Sequence, residues 1–311
     1  MKELAHLRKN VILAEHTTFC LGGPAKYFIV VQNEKELKEA LFWAKKNKLP
    51  IFILGGGSNV LIKDEGFEGL VIKIANKEIK IAEENNILKV ECDAGVAFNT
   101  LITRTTKKGY VDAAWGLGIP GTVGGAIYGN AGRLNHSFSE IVETITVLDK
   151  NLKIKKIAAK NCNFVYRGSR FKKTKEIILK ADLVFKRKQE KELEETLSQA
   201  KEIIKKAPPF PSAGCVFKNY QIKSKNDILL KNHPELKAVL RSGKISVGYL
   251  IDQSGLAGQQ IGGARIWEGH ANYIINTGGA KAADVLELIK LVKATIKEKY
   301  GIKLEEEIKI L

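Results

Sequence analysis

No apolar run in this 311-residue chain approaches the ~20 residues that a membrane-spanning helix requires. The opening MKELAHLRKN places charges where a secretion signal keeps its apolar core. The expectation is a cytoplasmic location with no membrane partner. Cysteine is sparse: Cys20, Cys92, Cys162 and Cys215 include no CxxC pair, which argues against a zinc ribbon or a thioredoxin-type site. In a reducing cytosol all four stay thiols, and no metal centre is expected. The sequon Asn135-His136-Ser137 carries no meaning without secretion. Internal repeats and low-complexity segments are missing, as are helix-turn-helix, RNP and zinc-finger patterns. Acidic residues number 34 against 51 Lys and Arg, a formal charge of +17 that favours anionic partners. The lysines are scattered in short groups such as Lys45-Lys46 and Lys155-Lys156. A solvated surface therefore accounts for most of them, and no nucleic-acid partner is expected.

The balance of 44% hydrophobic and 27% charged residues is that of an ordinary globular protein, long enough for two or three domains. The stretch PIFILGGGSNVLIK at residues 50–63 stands out. Ile51-Phe52-Ile53-Leu54 reads as a buried strand that stops at Gly55, Gly56 and Gly57. Consecutive glycines bring bare N–H groups close to a bound group and can cradle a phosphate. Ser58 and Asn59 add side-chain donors. The plain alternative is a loop between two strands.

Ahead of this stretch, residues 27–31 read as a strand. Residues 34–48 read as a helix with Leu37, Ala40, Leu41 and Ala44 on one face and Asn33 as N-cap. Strand, helix and strand make a βαβ unit, which puts the glycines at a carboxyl strand end, where open α/β sheets bind ligands. Residues 69–75 and 87–92 read as strands and 96–108 as a short helix. A second glycine-rich stretch, GLGIPGTVGGAIYGNAG, fills 116–132. It contains GxGxxG, but no strand leads into it and Pro120 stands where a dinucleotide fingerprint begins its helix. A long loop with many backbone donors, lying along a pyrophosphate and a flat ring, is the better account.

Residues 141–158 and 176–187 alternate as strands do. A helix spans 189–206, with Leu193, Leu197, Ile203 and Ile204 as its apolar pattern, and ends at Pro208-Pro209, the clearest domain boundary. After PSAGCVFKN the chain reads as irregular to about 244. Then come a short helix closed by Gly255, a strand at 271–276, a helix at 282–299 and a last strand at 302–310 holding Glu305-Glu306-Glu307.

The succession HTTFCLGGPA, LGGGSNVL, GIPGTVGGAIYGNAG, YRGSRF, AGCVFKN, LIDQSGLAGQQIGGA, HANYIIN and LEEEIK resembles the UDP-N-acetylenolpyruvoylglucosamine reductase (MurB) family over nearly the whole chain, in family order. No tyrosine-bearing insertion lies between YRGSRF and Pro208, which resembles the shorter type II branch. The resemblance implies a mixed α+β and α/β chain. It consists of a two-subdomain FAD-binding fold of the PCMH-type flavin oxidase group and a separate α+β substrate-binding domain. The implied division is 1–65 completed by 300–311, then 66–206, then 207–299 for substrate. FAD would be bound non-covalently by Gly55, Gly56, Gly57, Ser58 and Asn59, and by Gly118, Ile119, Pro120, Gly121, Thr122, Gly124, Gly125 and Ala126. NADPH is the implied co-substrate, a UDP-sugar the implied small-molecule partner and a monomer the implied state.

The family's substrate is a vinyl ether carrying a carboxylate. Hydride from flavin N5 would go to C3 and a proton to C2, while negative charge spreads into the carboxylate. Arg167 matches the arginine that stabilises this charge. Glu307 matches the catalytic glutamate, which must carry its proton to act as a donor. Glu305 and Glu306 read as exposed strand-edge charges. Cys215 stands where relatives usually have the serine that protonates C2. A free thiol ordinarily titrates at ~8.5, which makes it a stronger acid than an alcohol and able to do the same. Tyr166, Lys218, Asn219 and His270 are the implied substrate contacts. Relatives tend to continue Ala-Tyr-Gly after Gly132, where this chain has Arg133-Leu134-Asn135; Arg133 could meet a phosphate. Two other readings stay open: an FAD oxidase of an alcohol or sugar on the same fold, and a basic nucleic-acid-binding protein.

Overall fold

The computed structural model describes residues 4–133, 135–187, 190–205, 207–224 and 227–311. Leu134 lies outside the described residues, and Leu193 and Ile203 outside the described side chains. The chain divides into two compact units. Met1–Val11, Ala25–Gly56 and Glu68–Ala207 form the first; Ile12–Pro24, Gly57–Phe67 and Pro208–Leu311 form the second. The break at the Pro208 pair recurs, but residues 12–24 and 57–67, expected with the cofactor subdomain, group with the C-terminal part.

In the first unit a four-stranded sheet runs in the order Arg8–Ile12, Pro24–Val31, Phe67–Ile74, Ile51–Leu54. Ile51–Leu54 pairs in parallel with Phe67–Ile74. The helix Glu34–Lys46 supplies the crossover. Asn33 Oδ1 accepts from Glu36 N at 3.0 Å, and Glu36 Oε2 accepts from Gln32 N at 2.8 Å, a reciprocal cap. Its expected face of Leu37, Ala40, Leu41 and Ala44 is buried with Leu70 and Ile72 of the sheet. Ile51 is exposed, so the strand before the glycines is only partly buried.

An antiparallel sheet follows in the order Ile154–Ala158, Val142–Leu148, Ile177–Lys186, Ile87–Asp93, Ile79–Glu84. The last strand has no counterpart in the sequence reading, because Glu83, Glu84 and Lys80 dilute its apolar signal. The stretch 116–132 is not one long loop: Val123–Gly129 is a helix. Thr122 caps it, Oγ1 accepting from Gly125 N at 3.3 Å. Pro120 delays that helix by three residues without preventing it. In Glu190–Lys205, Ile204 remains exposed.

The second unit holds the antiparallel sheet Ser212–Cys215, Tyr273–Asn276, Ala264–Ile266, Gln260–Ile261. Helix Ala282–Tyr300 buries Val285, Leu288, Ile289, Val292 and Ile296 in the same core as Ile266 and Ile274, each worth ~2 kcal/mol relative to exposure. Asp64 ties down its first turn, accepting from Ala282 N at 2.8 Å and Ala283 N at 2.9 Å. Ile228–Asn232 is a helix within the stretch read as irregular. The last strand is only Lys309–Ile310, parallel to Val60–Leu61. Residues 305–307 are held instead by backbone contacts to the 216–218 segment. Among the described residues no helix is long and apolar enough to cross a membrane.

Candidate active site

In the first unit the two glycine-rich stretches meet. A Cβ on Gly55 would lie 2.5 Å from Thr122 Oγ1, and one on Gly56 2.6 Å from Gly121 Cα. Only glycine permits this approach. The expectation of many available donors in 116–132 does not hold. Gly118 N donates to Asn99 Oδ1 at 2.9 Å, Ile119 N to Gly116 O, Val123 N to Val96 O and Gly124 N to Ala94 O. Among the described residues, the N–H groups of Gly55, Gly56, Gly121 and Thr122 make no hydrogen bond. The unused donors thus concentrate where the two stretches touch. Ala126 is buried in the helix, and Gly125 N is spent on its cap.

Arg167 occupies a four-residue turn closed by Val165 N to Gly168 O at 3.0 Å and Gly168 N to Val165 O at 3.1 Å. Its φ of +54° is left-handed, a conformation that costs a non-glycine residue ~1–2 kcal/mol. The surroundings hold it there. Arg167 Nη1 donates to Gly132 O at 2.7 Å, and Lys172 Nζ donates to Arg167 O at 2.8 Å. The guanidinium lies over the Tyr166 ring, 5.3 Å from its centroid. Asn130, missed in the sequence, connects this turn to the glycine-rich helix. Its Nδ2 donates to Val165 O at 3.0 Å and its Oδ1 accepts from Ser139 N at 3.1 Å. The signal was there, since an asparagine after a helix tolerates φ > 0, and Asn130 adopts +43°. Arg133 Nη1 donates to Leu117 O at 3.0 Å and Trp115 O at 3.4 Å.

In the second unit, Cys215 ends its strand opposite Tyr273, after Gly214 at φ +79°. The next residue, Val216, accepts from Glu307 N at 2.7 Å; Phe217 bridges Glu306, and Lys218 N donates to Glu305 O at 3.0 Å. The backbone therefore sets Glu307 beside the residue that follows Cys215. Asn59 completes this arrangement. Its Nδ2 donates to Glu307 O at 3.1 Å and its carbonyl accepts from Lys309 N at 2.9 Å, so it pins the chain at Glu307. Gly57, at φ +66°, leaves no space for a Cβ, which would sit 2.1 Å from His16 O.

The three glutamates differ. Glu305 pairs with Lys218 at 2.7 Å, and this ammonium holds its carboxyl below the usual range. Glu306 is not an exposed edge charge: it is half-buried in an ion pair with Lys293 at 2.6 Å. Asn219 Oδ1 accepts from Val247 N at 3.2 Å, a structural bond at the start of helix Val247–Asp252. His270 keeps solvent access, yet its ring stands edge-on to Tyr273 at 5.2 Å, and a Cβ on Gly248 would meet its Cε1 at 2.8 Å. This desolvation lowers its pKa, and Nδ1 accepts from Asn272 N at 3.3 Å, which favours a neutral imidazole.

Asn272 has no signal in a single sequence. Buried, it accepts from Phe217 N through Oδ1 at 2.9 Å and donates from Nδ2 to Phe217 O at 2.8 Å. Asn272→Ala leaves both backbone groups buried without partners and should cost ~2–5 kcal/mol of stability. Chemical denaturation of the two proteins measures the difference; a loss within error would show that the amide does not hold this segment.

The FAD-binding domain family matches residues 25–158, and the C-terminal domain family of UDP-N-acetylenolpyruvoylglucosamine reductase matches 201–311; Arg167 falls between them. A relative in Protochlamydia amoebophila named UDP-N-acetylenolpyruvoylglucosamine reductase is 37% identical over 99% of this chain and 95% of its own length. One of the same name in Prochlorococcus marinus is 36% identical over 97% of each chain. The crystal structure of the Thermus caldophilus protein of that name superposes with a TM-score of 0.77 at 29% identity, covering 98% of this chain and 99% of its own. With both domain families matched in order and relatives matched end to end, the chain belongs to the UDP-N-acetylenolpyruvoylglucosamine reductase family and is a flavin-dependent oxidoreductase.

Proposed function

We propose that the protein reduces the enolpyruvyl group of UDP-N-acetylglucosamine enolpyruvate to UDP-N-acetylmuramate for peptidoglycan synthesis, as a cytoplasmic monomer with NADPH as reductant. The observation that supports this is the backbone bond from Glu307 N to Val216 O, which joins Glu307 to the residue after Cys215. The residues present suit FAD. Unused N–H groups at Gly55, Gly56, Gly121 and Thr122, with no room for a side chain on Gly55 or Gly56, match the needs of a diphosphate. On this reading residues 1–65, completed by 300–311, and residues 66–206 would hold FAD, and 207–299 the substrate.

FAD held there would supply hydride for C3 of the substrate, with NADPH as the reductant. Arg167 offers a permanent positive charge to the substrate carboxylate, and its anchor on Gly132 fixes the guanidinium before charge develops. Cys215 Sγ gives its proton to C2. Glu307 donates a hydrogen bond to the same growing charge. Lys218, neutralised in its pair with Glu305, orients substrate without adding net charge. Tyr166, Asn219 and His270 complete the substrate contacts.

A visible spectrum tests this. The pure protein should be yellow, release its flavin in mild acid, bleach with NADPH under anaerobic conditions and recolour on addition of the enolpyruvyl sugar. Flavin retained after denaturation and recoloured only by oxygen would identify an oxidase; a colourless protein that binds DNA with steep salt dependence would remove the flavin reading altogether.

A further inference from the structure

We propose that Arg133 is a positioning residue, which locks the glycine-rich cofactor stretch to the strand that anchors Arg167; this rests on the reading that the stretch carries FAD. Gly132–Arg133 is a two-residue strand paired with His136–Ser137. The pairing is tight: a Cβ on Gly132 would lie 2.2 Å from His136 O. Glu140 closes the far end, accepting from Ser137 N at 2.7 Å and pairing with His136 at 2.8 Å. The hairpin is thus a short, braced element.

Both of its first two residues reach outward. Gly132 O accepts from Arg167 Nη1, and Arg133 Nη1 donates to Trp115 O and Leu117 O. Those carbonyls end the 3-10 turn Ala114–Gly116, where helical acceptors run out of partners. A charged donor is a strong way to satisfy them. Gly118 comes next, at φ +74°, with its N–H held from the other side by Asn99. Two side chains therefore bracket the entrance to Ile119-Pro120-Gly121-Thr122. The carbonyl held by Arg167 and the side chain holding the turn belong to adjacent residues, so the glycine stretch cannot shift without moving the anchor of Arg167.

Arg133→Met keeps the bulk and removes the donors. Hydrogen exchange of the flavin-free protein reads the bracket directly, because Gly116, Leu117 and Ile119 N–H close the turn and the loop behind it. About tenfold faster exchange is expected across residues 113–121 with the rest of the first unit unchanged, together with about tenfold weaker FAD binding. Turnover should fall through kcat, with KM for NADPH little changed. Arg133→Lys, whose ammonium still donates, should recover much of the protection, and it makes the comparison should the methionine variant fail to fold. Unchanged exchange at 113–121, unchanged FAD affinity, or a uniform loss of protection over the whole unit would each overturn the proposal. A parent protein that binds no FAD would sink the functional reading, while the exchange comparison would still decide the bracket.

Discussion

Cys215→Ala should lose turnover by ~10²–10⁴-fold while its flavin is still bleached by NADPH at the parent's rate, and Cys215→Ser should keep much of the turnover. This is the expected pattern if the thiol's only task is to protonate C2, a step after flavin reduction. Stopped-flow absorbance separates the two half-reactions. The other thiols do not confuse the result. Burial pushes Cys92 up to about 12 and Cys162 up to about 11, so both remain protonated and unreactive near neutral pH. Cys20 is exposed, and a Cys20→Ser background isolates Cys215 for alkylation. Equal turnover in the alanine and serine variants would remove Cys215 from the mechanism. Loss of both half-reactions in Cys215→Ala would make the residue structural instead.

Arg167→Lys should lower kcat/KM by ~10²–10³-fold, because an ammonium cannot reproduce a planar, two-donor contact with a carboxylate. Arg167→Gly separates the chemistry from the fold. Glycine relieves a left-handed φ of +54°, a gain of ~1 kcal/mol that offsets the loss of the bond to Gly132 O. Its melting temperature should stay near the parent's while turnover disappears. A lysine variant with parental kcat/KM, or a glycine variant that melts far below the parent with its residual activity intact, would assign Arg167 a structural role only.

Local chemistry made much of the fold legible. Helix 34–46 announced itself through Asn33 and a period near 3.6, and the chain passes from one compact unit to the other between Ala207 and Pro208. What the sequence hid were consequences of three-dimensional pairing. Ile79–Glu84 is a sheet edge whose outward glutamates and lysine erase the apolar pattern. The final stretch reads as one long strand because Ile302, Leu304 and Ile308 alternate with polar residues, but these bury into a core while the backbone follows 216–218. In the candidate site, residue types were readable and commitments were not. Asn59 Nδ2 donates to Glu307 O, Asn219 Oδ1 accepts from Val247 N, and Arg133 Nη1 donates to the carbonyls of Trp115 and Leu117. A donor's type is written in the sequence, whereas its partner depends on residues far along the chain.

Asn59 and Glu307 are bonded although 248 positions apart, Thr18 reaches Ser212 across 194, and Asp64 reaches Ala282 across 218. During vectorial synthesis the early strips of the second unit therefore leave the ribosome long before their partners exist. They must wait as solvated, unpaired chain while the intervening first unit can already condense around its own sheets. The backbone bond from Glu307 N to Val216 O, beside Cys215, likewise cannot form until Glu307 itself has been made.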